Sequence, residues 1–234
     1  MTEKNPWWPY VLPMGAFLVL TTAEGWLPQA AKAGGGVGPH PTWYPLAYAA
    51  KAVVVGALLV VCRMAWADLR PRPGRTGWAL AVGVGLAVFV AWVGLERLPY
   101  PKFGDATGGR QAFDPGVLAP ATRAAFLAIR FLGLVLIVPV MEELFWRSFV
   151  NRLVIDTDDF GRVPIGKVTL ASAAVTAGLF AASHPEWLPA LLTGLAWAWL
   201  LHQTRSISAC VVSHAVANLA LGVYVMATGS WGLW

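Results

Sequence analysis

Charge is what this sequence has least of. Of its 234 residues only 12% are Asp, Glu, Lys or Arg, whereas 57% are hydrophobic and 13 are Trp. That balance excludes a water-soluble globule and indicates a chain that lives in lipid. Cysteine is nearly absent: Cys62 and Cys210 sit inside apolar stretches without metal-type spacing. They read as small core residues, not as a disulfide or a thiolate nucleophile. There is no internal repeat, no His-Glu-x-x-His and no basic-aromatic stripe. The net charge of +5 therefore reads as topology signal and contact with anionic lipid, and no nucleic-acid partner is expected.

What is present is a series of apolar runs near 8–27, 44–66, 77–97, 125–150, 165–184, 187–203 and 206–227. A spanning helix needs about 20 such residues. The expectation is an all-α polytopic membrane protein with about seven transmembrane helices, six to eight, forming one integrated membrane domain. Residues 1–120 supply N-terminal membrane helices and a long connecting loop, and 121–234 hold the functional core. The first run follows Met1-Thr2-Glu3-Lys4 without a small-residue cleavage pattern, so it reads as a retained helix. The long connection at 99–120 carries Asp105, Gly108, Gly109 and Asp114 and is a candidate lid or surface loop.

Cations in alternate connections set the orientation. One side collects Lys4, Arg63, Arg70, Arg72, Arg75, Arg152, Arg162, Lys167 and Arg205, and the other Lys32, Arg97, Lys102, Arg110 and Arg123. The excess on the first side places the N-terminus in the cytoplasm and the C-terminus outside.

Three polar motifs interrupt the apolar runs: Glu142-Glu143-x-x-x-Arg147, Phe180-x-x-x-His184 and His214-x-x-x-Asn218. Ionisable groups in hydrocarbon are costly, so a chain that keeps a cluster of them there uses them. Neighbouring helical residues point about 100° apart, which gives Glu142 and Glu143 different roles. Glu143 and Arg147 stand at i and i+4 with the acid first, the favourable order for an intrahelical pair. Glu142 is then left uncommitted, and a carboxylate with little solvent is a stronger proton acceptor than an exposed one. It is the candidate general base. His184 ends an Ala/Gly/Ser/Thr-rich helix just before Pro185, with Phe180 one turn earlier. His214 and Asn218 share one helix face and present N–H donors to a common point, the arrangement that holds an oxyanion where water is scarce. Each motif alone is also compatible with interhelical ion pairing, packing or hydrogen bonding. Together they supply base, donors and charge balance to one bundle.

In this order on successive apolar runs, the motifs resemble the CAAX prenyl protease and bacteriocin-processing (CPBP, ABI) family of intramembrane proteases, over roughly residues 121–226. The Phe-Trp-Arg-Ser-Phe-Val and His-Pro-Glu-Trp-Leu contexts also resemble, less closely, the exosortase-associated CAAX protease-related subset. The resemblance implies an intramembrane endopeptidase acting on a membrane-anchored or hydrophobic polypeptide. Glu142 and His184 would activate water, His214 and Asn218 would stabilise the oxyanion, and Glu143 and Arg147 would support them. Phe180 is carried over as a candidate substrate contact.

Members of that family have been called metalloproteases, and Glu142, His184 and His214 offer three zinc ligands in principle. A metal-free site is preferred because the histidines come from separate helices and Asn218 suits an oxyanion better than a metal. Two other functions are compatible with the sequence: a catalytically silent chaperone or immunity-type binding protein, and a proton-coupled transporter. High Ala and Gly with Arg over Lys suggest a high-GC bacterium, hence the inner (cell) membrane and no transfer of prenyl preference. One geometric conflict is expected. With Lys167 at the inner face, His184 stands about 25 Å from that face, whereas Glu142 falls nearer mid-depth.

Overall fold

The structure is a computed structural model and describes residues 6–31, 37–102 and 112–233. Asp105, Gly108, Gly109, Lys4, Lys32 and Arg110 lie outside the described residues. The apolar runs become seven helices: α1 (Trp8–Glu24), α2 (Trp43–Val61), α3 (Arg75–Glu96), α4 (Pro120–Ile155), α5 (Leu170–Ala182), α6 (Trp187–Thr204) and α7 (Ile207–Thr228). Four of these, α2, α3, α4 and α7, are long and apolar enough to cross a membrane. The only departure from an all-α chain among the described residues is a short antiparallel pair, β1 (Gln29–Ala31) with β2 (Val37–Pro39).

Local chemistry sets the helix ends. Pro120 opens α4, where its missing N–H costs nothing. Thr169 and Ser172 cap α5 reciprocally, each hydroxyl accepting from the other's backbone N–H at 3.0 and 2.9 Å. Ser206 caps α7 after Arg205 has turned the chain through a left-handed conformation with φ 50°. The 3₁₀ stretch Arg63–Leu69 follows α2, and Pro71 and Pro73 hold the next residues out of a helix.

Small residues let the backbones approach, as they must where lipid offers no hydrophobic drive for helix association. α3 packs along α7 and α6, and α5 along α6. A Cβ on Gly85 of α3 would lie 2.4 Å from the Ser213 carbonyl of α7, and one on Gly194 of α6 would lie 2.9 Å from Ala177 of α5.

The polar contacts sort into two ends. At one end Tyr10, Asp68, Ser148 and Arg152 join, and Ser206 and Ser208 donate to the Pro71 and Leu69 carbonyls. At the other, Arg97 donates to Tyr224, Trp187 donates to the Pro101 carbonyl, and Arg130 donates to Tyr44.

Gly85→Ala is expected to destabilise the bundle by about 1–3 kcal/mol, because the Ser213 backbone cannot yield as a side chain would. Gly83→Ala, with nothing within 4 Å of its Cβ, is expected to be neutral or slightly stabilising. Paired thermal denaturation of the two variants in detergent checks the difference.

Candidate active site

The helix that carries the two glutamates is not regular. Within α4, π-helical turns at Gly133–Ile137 and Leu144–Val150 flank the α-helical stretch Val138–Glu143. A π turn widens the helix and re-phases the side chains that follow, which is why such turns recur at functional sites. Here the re-phased segment delivers Glu143, Arg147 and Ser148, all essentially without solvent exposure.

Glu143 is fully committed. Its Oε1 accepts from His214 Nδ1–H at 2.9 Å, and its Oε2 lies 3.2 Å from Arg147 Nε. The Arg147 contact is Coulombic and lacks hydrogen-bond alignment, so no guanidinium nitrogen has a hydrogen-bond acceptor among the described residues. Its faces are occupied instead. The guanidinium carbon lies 4.8 Å from the Phe180 ring centre and 5.0 Å from that of Trp197, a desolvated setting in which cation–π attraction is strongest.

Trp197 of α6 also stacks on His214, with ring centres 4.3 Å apart and planes at 27°. Its indole N–H donates to Ser213 Oγ at 3.0 Å. One tryptophan thus touches residues of all three motifs. It was not singled out in the sequence, where Trp197 is one aromatic among several on an apolar helix. A weak signal existed: Trp197 has the spacing of a buried helix face, and a buried indole needs an acceptor.

Glu142 is buried too, at 6% exposure, yet makes no hydrogen bond or ion pair among the described residues. The groups acting on it electrostatically are His214, Glu143 and Arg147. The division foreseen between a committed and an uncommitted carboxylate is therefore present in the geometry, with His214 as a second partner of Glu143 that the i, i+4 spacing did not reveal.

His184 lies in the turn between α5 and α6. Its Nδ1–H donates to the Phe180 carbonyl at 2.8 Å, and its ring lies 4.4 Å from Phe180 and 5.9 Å from Trp92. With Nδ1 protonated, neutral His184 carries its lone pair on Nε2. Phe180 itself is 1% exposed, its ring enclosed by Arg147, Trp146, Trp197 and His184. Side chains of the protein take the surfaces that a substrate contact would need.

Asn218 departs from the expected pairing with His214. Its Nδ2 donates to the Leu134 carbonyl at 2.9 Å, inside the first π turn of α4, while His214 Nδ1 is spent on Glu143. The two donors are thus tied to different elements, because α7 must satisfy carbonyls that the π turn displaces. His214 has a further N–H to offer only as imidazolium, on Nε2.

The depth conflict disappears. α4 runs on to Ile155, so Glu142 lies 13 positions before its end, and His184 lies 14 positions after the start of α5. At 1.5 Å per residue both stand about 20 Å from the shared 156–169 connection. The Arg147–Phe180 contact, one turn closer to that connection on each helix, fixes the register.

Among the described residues no three or more His, Cys, Asp or Glu side chains converge as metal ligands. Glu142, His184 and His214 accordingly do not fit a three-ligand zinc site, although each histidine has the Nδ1–H partner that such ligands need.

A known family model covers the span that holds this constellation. Residues 124–220 match the Rce1-like family, type II CAAX prenyl endopeptidase. The resemblance drawn from the three motifs is borne out over this segment, and the Rce1-like family is one of proteases. No curated protein and no solved structure gives a significant match. The Rce1-like segment begins within α4 and ends within α7, so it holds every motif residue, whereas Tyr10, Asp68 and Gly85 buttress it from outside.

Removing Arg147 alone leaves Glu143 buried beside a histidine only. Arg147→Ala is expected to cost about 3–5 kcal/mol of stability. The double variant Arg147→Leu with Glu143→Leu is expected to lose less than either single truncation. A double-mutant cycle on thermal stability measures that coupling.

Proposed function

We propose that this protein is an intramembrane endopeptidase of the CAAX-protease type, hydrolysing a peptide bond in a membrane-anchored or hydrophobic polypeptide. The observation that carries the reading is the asymmetry of the glutamates. Both oxygens of Glu143 are engaged by His214 and Arg147, while Glu142, buried beside them, has no hydrogen bond or ion pair among the described residues. A proton acceptor held this way, out of bulk solvent, suits general-base catalysis.

Glu142 takes a proton from water, and the resulting hydroxide adds to the scissile carbonyl carbon. His184 Nε2 accepts the water's other hydrogen and orients it. The tetrahedral oxyanion is met by His214 Nε2–H, with the ring held in place by Glu143 at Nδ1, and by the second Asn218 amide hydrogen not used on Leu134. Collapse of the intermediate breaks the C–N bond as the proton held by Glu142 passes to the leaving nitrogen. The Arg147 donors, which have no acceptor among the described residues, are available to water drawn into the site during turnover. All of these groups belong to the chain, and no metal is needed for any step.

The short α5, 13 residues and about 20 Å long, supports a hairpin whose His184 turn stops short of the far side of a 30 Å hydrocarbon core. In this arrangement the five remaining helices cross a bacterial cell membrane and the two hairpin arms bring the helices held in it to seven, with the N-terminus in the cytoplasm. Substrate then approaches laterally from the bilayer. The prenyl specificity in the family's description is not transferred to this chain.

In a cleavage assay in membranes with co-expressed hydrophobic candidate peptides, Glu142→Gln is expected to abolish cleavage while leaving peptide binding and thermal stability intact. His184→Ala is expected to lower the rate by about 10²–10⁴-fold, and chelators to leave it unchanged. Full activity in Glu142→Gln refutes the assignment. Activity lost to a chelator and restored by zinc overturns the metal-free chemistry.

A further inference from the structure

The segment 63–75 takes no part in the proposed hydrolysis, yet its arrangement is specific. Arg63, Arg70, Arg72 and Arg75 are all exposed, and among the described residues none of them forms an ion pair. Two large apolar side chains stand out between them, Met64 at 59% and Trp66 at 42% exposure. Cations alternating with exposed apolar groups at the end of membrane helices make a surface with two requirements, a negative charge and a hydrocarbon edge.

The one acidic residue of the segment is turned away. Asp68 faces inward, accepting from Tyr10 Oη at 2.7 Å and Ser148 Oγ at 2.5 Å and pairing with Arg152. Its charge is neutralised inside the protein, and the outer face of 63–75 is left uniformly positive. The segment is also pinned. Cys62 and Ala65 are buried at 1% exposure, Ser208 Oγ donates to the Leu69 carbonyl at 2.5 Å, and Ser206 Oγ donates to that of Pro71. Pro71 and Pro73 keep Arg70 and Arg72 out of a helix, between the 3₁₀ stretch that begins at Arg63 and the helix α3 that begins at Arg75.

Carboxylates at the same end do not cover the strip. Asp159 is paired with Arg162 at 3.0 Å, and Asp156 accepts the backbone N–H groups of Asp158 and Asp159. Both lie in the turn that follows α4.

We infer that residues 63–75 form a docking strip for anionic phospholipid, with Arg63, Arg70, Arg72 and Arg75 holding phosphodiester headgroups and Met64 and Trp66 seated among the adjoining acyl chains. Charge complementarity selects the occupant: guanidinium forks match phosphate oxygens, and the flanking apolar side chains have no use for a free anion. Through Asp68 the strip is fastened to Ser148 and Arg152 of α4, the helix that carries Glu142 and Glu143. Bound lipid therefore sets the position of the bundle relative to the headgroup plane.

The test uses the full chain purified in detergent, exposed to equal phosphatidylglycerol and phosphatidylcholine, with retained lipid read by native mass spectrometry. Wild type is expected to retain phosphatidylglycerol preferentially. The quadruple variant Arg63→Gln, Arg70→Gln, Arg72→Gln, Arg75→Gln is expected to lose at least about tenfold of that preference, since each surface cation contributes about fivefold. Arg97→Gln with Arg123→Gln, at the opposite end, is expected to keep it. Unchanged preference in the quadruple variant, or equal loss in the opposite-end pair, overturns the assignment. Displacement of the lipid by millimolar inorganic phosphate identifies a free-anion site and overturns it too. If the quadruple variant fails to fold, wild type in about 0.5 M salt decides: screening is expected to reduce phosphatidylglycerol retention, and retention unaffected by salt refutes the strip.

Discussion

A guanidinium held between two aromatic faces and one carboxylate is the contact on which the rest of the site depends. Arg147 carries a full positive charge at 2% exposure, a position that lipid alone would make prohibitive. Its compensation is distributed over three helices: Glu143 on its own helix, Phe180 on α5 and Trp197 on α6. Each partner is thereby placed. Phe180 fixes the turn that ends in His184, and Trp197 fixes the plane of His214 by stacking. The second oxygen of Glu143 then fixes the rotation of His214 through Nδ1. A single buried charge thus sets the relative positions of helices that share no covalent connection near the site.

The same constraint explains why the composite helix α4 contains π turns. A straight α-helix through Glu142, Glu143 and Arg147 keeps them on neighbouring but diverging directions. Widening the turn at Leu144–Val150 allows Arg147 to reach the Phe180–Trp197 slot while Ser148 and Arg152, one turn on, meet Asp68. The cost falls on backbone pairing at the other π turn, where Asn218 donates to the Leu134 carbonyl. What looks in sequence like an oxyanion donor is thus bonded to the helix that bears Glu142.

Much of this was legible in advance. The apolar runs located the seven helices to within a few residues, because a lipid-facing helix must satisfy its own backbone and can show water no polar face. The i, i+4 spacing of Glu143 and Arg147 gave their pairing, since both residues lie on one helix. The partners of His214 and Asn218 were not legible in the same way: they come from 71 and 84 residues away, and no local pattern encodes them. The length of α4 misled as well. Its polar end, Asn151 to Ile155, looks like a loop by hydropathy, but Arg152 is buried against Ser148 and Asp68. That burial carries the helix to Ile155 and brings Glu142 level with His184.

The sequence by itself determined that this chain lives in lipid, where its helices run, and which ionisable residues are too costly to be incidental, because those properties follow from composition and from spacing along single helices. The tertiary structure decided which carboxylate is committed, which partner the Nδ1 of each histidine takes, and that Trp197 joins the three motifs. Those depend on contacts between helices, where small residues such as Gly85 and Gly194 set the approach and one buried arginine sets the register.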